Sequence, residues 1–223
     1  MVTDDPGTPG DGHWEINLAG IYSSTRDQKV LQSPYFDVNY GWGENIQLKV
    51  EGGWVNGWDA NGKNQNGHSD ILIGVKYRFL DEDKNGIAVS VYPSIEFSHF
   101  FSSHNPEIAP AGKEFFLPVE LSKTFGAWVL NPEIGYLYGT QTSNELLYGL
   151  VIAYEKAKPF EPLAEVHVDS RFNGTGSTTL LNVGLRYTVD PHLNLIGSVG
   201  HTVTNTQDGA PELDAYFGLQ FEI

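Results

Sequence analysis

Cysteine is absent from the 223 residues, which excludes a disulfide framework and a thiolate metal site and suits a chain that crosses an oxidising compartment. Basic residues are scarce. Thirteen Lys and Arg face 28 Asp and Glu, a formal charge of -15, so the clustered cations that release counterions from nucleic acid are missing. No run approaches the ~18 apolar residues of a helical membrane span, yet strands of a membrane barrel need only about ten alternating residues each. Helical periodicity is also lacking. A leader with a basic and then an apolar stretch is not seen after Met1, where Val2 to Gly12 is polar and rich in turn residues. This start reads as a mature chain given an initiating Met, with 1–12 expected as a flexible segment and 13–223 as one domain.

What the chain does have is a period of two. In 70–79, Ile71, Ile73, Val75, Tyr77 and Phe79 fall on one face, while Asp70, Gly74, Lys76 and Arg78 fall on the other, with Leu72 the exception. The same alternation runs through 178–189 and through 213–222, where Leu213, Ala215, Phe217, Leu219 and Phe221 oppose Asp214, Tyr216, Gly218, Gln220 and Glu222. Read in this way, the chain gives about twelve strands, at 13–23, 34–41, 45–55, 69–80, 87–100, 113–124, 127–138, 144–155, 160–171, 177–189, 192–203 and 211–222.

The connections alternate too. After even-numbered strands they are short, as at Trp42 to Glu44, Asp81 to Gly86, Phe125-Gly126, Lys156 to Pro159 and Asp190-Pro191. After odd-numbered strands they are mostly longer and polar, as at Ser24 to Ser33, Asn56 to His68, Phe101 to Gly112, Phe172 to Gly176 and Asn205 to Ala210. This layout predicts an all-β fold, a closed antiparallel up-and-down transmembrane β-barrel of about 12 strands with short periplasmic turns and longer extracellular loops.

A soluble up-and-down barrel would share the rhythm but turn its apolar face inward. The polar face carries Lys49, Glu51, Lys76, Arg78, Glu96, Glu120, Glu133, Glu165, His167, Asp169, Arg171 and Arg186, too many ionisable groups for a small dry core. They are therefore expected to line a hydrated lumen and set its selectivity. The full inward set has eleven acids, adding Glu15, Asp37, Asp70, Glu145 and Glu161, against five bases, an excess that favours cations. Pairing of Lys49 with Glu51, or of Arg171 with Asp169 and Glu165, is the structural alternative. Trp14, Trp54, Tyr77, Phe79, Trp128, Tyr138, Tyr154, Tyr187 and Phe221 lie near strand ends, as an interfacial girdle requires. Pro93, Pro118, Pro132 and Pro162 fall inside strands, where bulges absorb them or a lateral gap opens.

The units Gly74-Val75-Lys76-Tyr77-Arg78-Phe79 and Gly184-Leu185-Arg186-Tyr187-Thr188-Val189-Asp190-Pro191 resemble outer-membrane transporters grouped as the "MetA-pathway of phenol degradation" family. Gly67-His68-Ser69-Asp70, the turn Leu121 to Trp128 and the closing Phe217-Gly218-Leu219-Gln220-Phe221 extend the resemblance over most of the chain. It implies passage of small molecules, aromatic or hydrophobic ones included, across the outer membrane.

Catalysis finds little support. His167 has Asp169 on its face, but Ser170 has the opposite parity, and His99 with Ser98, Ser102 and Ser103 opens a polar loop. Asp59 to Asn66 lacks the acidic spacing of a calcium loop. The expectation is thus a non-enzymatic channel or passive transporter with no cofactor and no metal, in contact with the lipid bilayer, a small solute and, during biogenesis, the outer-membrane assembly machinery. Phe100, Phe101 and Ile108 are a candidate apolar entry site at the outer mouth. A lipid-processing enzyme and a sealed structural or adhesion barrel are the alternatives.

Overall fold

The computed structural model describes residues 1–97, 112–140, 142–172, 174, 176–205 and 211–223. Its strands are β1 (Trp14–Ser24), β2 (Gln28–Trp42), β3 (Ile46–Asp59), β4 (Asn64–His68), β5 (Ile71–Leu80), β6 (Ala88–Val91), β7 (Ser94–Phe97), β8 (Lys113–Phe125), β9 (Trp128–Gly139), β10 (Glu145–Tyr154), β11 (Phe160–Arg171), β12 (Ser177–Asp190), β13 (Leu193–Asn205) and β14 (Leu213–Glu222). Each pairs antiparallel with its neighbours, and β14 pairs with β1 from Glu15↔Glu222 to Ser24↔Leu213, which closes the ring. β4 and β5 both pair with β3 and form one wall strand, as do β6 and β7 between β5 and β8, so the wall has twelve strands.

The side chains sort by parity, and the sorting is the reverse of a soluble protein. Val183 is 58% exposed and Phe217 67% on the outer face, whereas Lys76 is 1% exposed and Glu120 is fully buried on the inner one. Apolar outside and ionisable inside is the arrangement of a wall that meets hydrocarbon. Aromatic pairs mark both rims. Trp14 with Tyr40 (4.7 Å), Trp128 with Tyr154 (4.8 Å) and Phe160 with Tyr187 (5.0 Å) sit at the short-turn end. Trp54 with His68 (4.9 Å), Phe115 with Tyr138 (6.2 Å) and Tyr136 with Phe172 (5.4 Å) sit at the other.

Two segments expected as long loops are instead ladder. Pairing of β1 with β2 continues to Ser24↔Lys29, and β3 and β4 form a hairpin that reaches Trp58↔Asn64. Beyond the hydrocarbon no lipid demands apolar outward residues, so the alternation fades there while backbone pairing persists.

The in-strand prolines interrupt the ladder locally. Pro93 separates β6 from β7, and carbonyls bridge the break: Val75 N–H donates to Pro93 O (3.0 Å) and Tyr92 N–H to Pro118 O (3.3 Å). Pro132 lies where β8–β9 pairing skips from Glu120↔Glu133 to Lys123↔Leu130 without a change of register, and it remains opposite Leu150 on β10. Pro162 pairs with Leu185, while the β10–β11 ladder stops at Leu163. Each break at Pro93 and Pro132 spans two residues on its strand.

Candidate functional site in the barrel lumen

Residues 1–12, expected as a flexible segment, have defined partners inside the barrel. Near the short turn after β2, Gly12 N–H donates to Gly41 O (3.0 Å), Asp11 accepts from Gly43 N–H (2.8 Å), and Thr8 Oγ1 donates to Glu44 O (2.8 Å). From there the chain rises past β5 and crosses the lumen to β10–β12. Asp4 meets Lys76 Nζ at 3.1 Å and Lys49 Nζ at 3.9 Å, and its N–H donates to Glu133 Oε2 at 3.2 Å. Lys76 also donates to the Asp5 carbonyl. Glu165 takes both of the next amides, Thr3 N–H at Oε1 (2.5 Å) and Val2 N–H at Oε2 (3.1 Å).

Glycines make the seat. A Cβ on Gly149 of β10 would lie 1.8 Å from Thr3 Oγ1, and one on Gly41 of β2 would lie 1.7 Å from the Gly10 carbonyl oxygen. Any side chain at either position would therefore collide with the segment as it runs.

The twelve residues expected to line the lumen divide into two groups. Lys49, Glu51, Lys76, Glu120, Glu133, Glu165 and His167 form a band around the inserted segment. Lys49 pairs with Glu51 (2.6 Å) and Asp37 (3.5 Å), Glu51 accepts from Tyr35 Oη (2.7 Å), and Glu120 joins Lys76 (3.2 Å) and Ser90 Oγ (2.5 Å). The Lys49 and Lys76 ammoniums both stand 5.5 Å from the Tyr92 ring centre, which fills the hollow over Gly74.

Of the others, Asp169 adjoins the band through His167, and the remaining four lie away from it. Arg171 pairs with Glu145 (3.2 Å) toward the loop end rather than with Asp169 and Glu165, and Arg186 pairs with Glu161 (3.4 Å) toward the turn end. Arg78 reaches Asp81 (3.6 Å) and the Glu44 carbonyl (2.8 Å). Glu96 of β7 faces Glu114 of β8 across the strands. Phe100, Phe101 and Ile108, together with His99 and its neighbouring serines, lie outside the described residues.

His167 sits between Thr3 Oγ1 (3.2 Å from Nδ1) and Asp169 (3.1 Å from Nε2), while Ser170 pairs opposite Leu146 with the other parity. This row of hydroxyl, imidazole and carboxylate anchors the segment: Thr3 is 6% exposed, which leaves no approach for an acyl carbonyl. Among the described residues no group of three or more His, Cys, Asp or Glu is arranged to hold a metal ion.

A cavity of about 420 Å³ remains beside the segment. Its lining mixes ionisable residues, Glu15, Asp37, Lys49, Glu51, Glu133 and Arg186, with the apolar Leu72, Phe116, Val151, Leu163 and Ile196. Sequence reasoning missed the segment, Tyr35 and Tyr92. The available signals were Gly41 and Gly149, glycines at inward positions of strands.

Neither a family model nor a curated protein matches the sequence. Solved structures do match. An outer-membrane channel from Pseudomonas putida superposes with a TM-score of 0.74 over 100% of both chains at 10% identity. The NanC porin gives 0.67 over 93% of this chain and 100% of its own at 15% identity, and the KdgM porin with disordered oligogalacturonate gives 0.63 over 93% and 98% at 13%. By fold, the chain is a closed twelve-stranded barrel similar to those of these outer-membrane channels. At these identities the likeness speaks to the wall and its closure, so the solute has to be argued from the lumen.

Proposed function

We propose that the protein is a passive channel for small solutes in a bacterial outer membrane, closed at rest by its own residues 1–6. The observation that carries this reading is the way the segment is held, by hydrogen bonds and ion pairs to wall residues rather than by the strand ladder. Four of these contacts, from Val2, Thr3 and Asp4 to Glu165, Glu133 and Lys76, are charge-assisted, at about 2 kcal/mol each. Ordering six residues costs about 1.5 kcal/mol apiece. Further contacts, Thr3 with His167, Lys76 with the Asp5 carbonyl and Asp4 with Lys49, add to the holding side, so the plug is seated at rest and its departure is the rarer state.

Once the plug leaves, the carboxylates that received its amides face water together with Glu15, Asp37 and Glu51. An acidic lumen of this kind favours cations and N–H donors. The apolar side chains of Phe116, Val151, Leu163 and Ile196 in the same lining offer contacts to a hydrophobic or aromatic body, so solutes with one charged and one apolar end suit the passage. Lipid is the partner of the outer face, and barrel-assembly machinery is the partner during biogenesis.

Planar-bilayer recording tests this. Gly149→Val, which intrudes on Thr3, is expected to raise the time spent open at least tenfold over the unaltered protein, with cation preference that Glu96→Gln reduces. A silent bilayer for both the unaltered protein and Gly149→Val would favour a sealed structural barrel instead.

A further inference from the structure

Asp4 presents two groups to the wall at once. Its N–H meets the Glu133 carboxylate, and two carbons away its own carboxylate meets the Lys76 ammonium at 3.1 Å with Lys49 at 3.9 Å. The wall is therefore a paired receptor, an anion beside two cations, spaced for a nitrogen and a carboxylate separated by two carbons. We propose that this receptor is a binding site for small amino-carboxylate solutes of that spacing, such as aspartate and β-alanine, which take the place of Asp4 and so release the plug.

The cavity beside Asp4 gives such a solute a way in. Two buried hydroxyls without a hydrogen-bond partner among the described residues line it, those of Tyr92 (5% exposed) and Ser94 (8% exposed). Buried hydroxyls seek partners, because a lone polar group in a protein interior is destabilising. A free carboxylate or ammonium in the cavity would supply them. A free amine also exceeds the plug in what it offers Glu133, since an ammonium carries three donors and a full charge where the peptide amide carries one donor and none. The exchange is thus one of like for like at Lys49 and Lys76 and of stronger for weaker at Glu133. A solute with only a carboxylate does not replace the donor that Glu133 loses when the plug departs, and one with only an ammonium does not replace the carboxylate that Asp4 gave Lys49 and Lys76.

This inference rests on the plugged-channel reading, and single-channel recording on the full chain separates the two. β-Alanine and L-aspartate are expected to increase the open fraction of the unaltered protein several-fold, whereas propionate and propylammonium at equal ionic strength leave it within twofold. Glu133→Gln and, independently, Lys49→Gln should each raise the half-maximal β-alanine concentration about tenfold. If Gly149→Val opens the channel but β-alanine acts no better than the two single-charge controls, or if neither substitution moves its half-maximal concentration, the receptor is refuted and the channel stands. If Gly149→Val does not conduct, the channel reading fails and takes the receptor with it.

Discussion

The two sides of the lumen hold their polar groups in different ways. On the arc formed by β2, β3, β5 and β8, Asp37, Lys49, Glu51, Lys76 and Glu120 are joined by wall-to-wall ion pairs of 2.6 to 3.5 Å. On the arc formed by β9, β10 and β11, Glu133 and Glu165 look to the amides of Asp4, Thr3 and Val2, although Asn182 Nδ2 also reaches Glu165 at 3.1 Å. The charges of the first arc keep wall partners when the plug leaves, although Lys76 and Lys49 also meet Asp4, whereas the second arc takes most of its donors from the plug. Substitutions on the first should therefore act chiefly on the stability of the barrel, and those on the second chiefly on its gating.

The largest effect is expected on the first arc. Lys76→Met leaves Glu120, fully buried, without its base, and loss of one partner from a buried pair costs roughly 3–5 kcal/mol. Unfolding in detergent, followed by the mobility shift between folded and heated barrels, should move to markedly lower temperature. An unchanged midpoint would break the distinction between the arcs. On the other arc, Glu165→Gln keeps the side-chain volume but removes the charge that draws two plug amides, a loss of about 1–2 kcal/mol. Its open fraction should rise about tenfold while the unfolding midpoint stays close to that of the unaltered protein.

A third and smaller effect sharpens the contrast by lying outside the lumen. In the turn after β5, Glu82 accepts from the backbone N–H (2.7 Å) and hydroxyl (3.0 Å) of Thr124, and that backbone N–H holds its carboxyl below the usual carboxylate range. A carboxylate lowered on folding stabilises fully above its unfolded pKa, about 4.3, and the contribution fades as pH falls through the folded value. Glu82→Gln should remove under about 1 kcal/mol at neutral pH, less in acid, with no change in gating.

The wall was legible in the sequence because a strand with lipid on one side and water on the other has to alternate, and Ile71 to Phe79 does so almost without exception. Strand ends were less legible where β1–β2 and β3–β4 run past the hydrocarbon, since pairing there no longer constrains side-chain polarity. Most of the lumenal band also followed from parity, including Lys49 with Glu51. Partner choice did not: Arg171 goes to Glu145 on the adjacent β10, its register neighbour, rather than to residues on its own strand. The plug was hidden because Val2 to Pro6 has no periodicity to read, and its seat is recorded only as absent side chains at Gly41 and Gly149.

The central claim is that residues 1–6 close the lumen reversibly, and the lack of native cysteine allows a direct trial of it. Thr3 Cβ lies 2.8 Å from a Cβ built on Gly149, so a Thr3→Cys, Gly149→Cys pair reaches disulfide geometry after a shift of about 1 Å. In a planar bilayer the oxidised pair is predicted to stay closed and to gain current when a reductant is added. Equal current before and after reduction, with the disulfide verified by mass, would contradict the account.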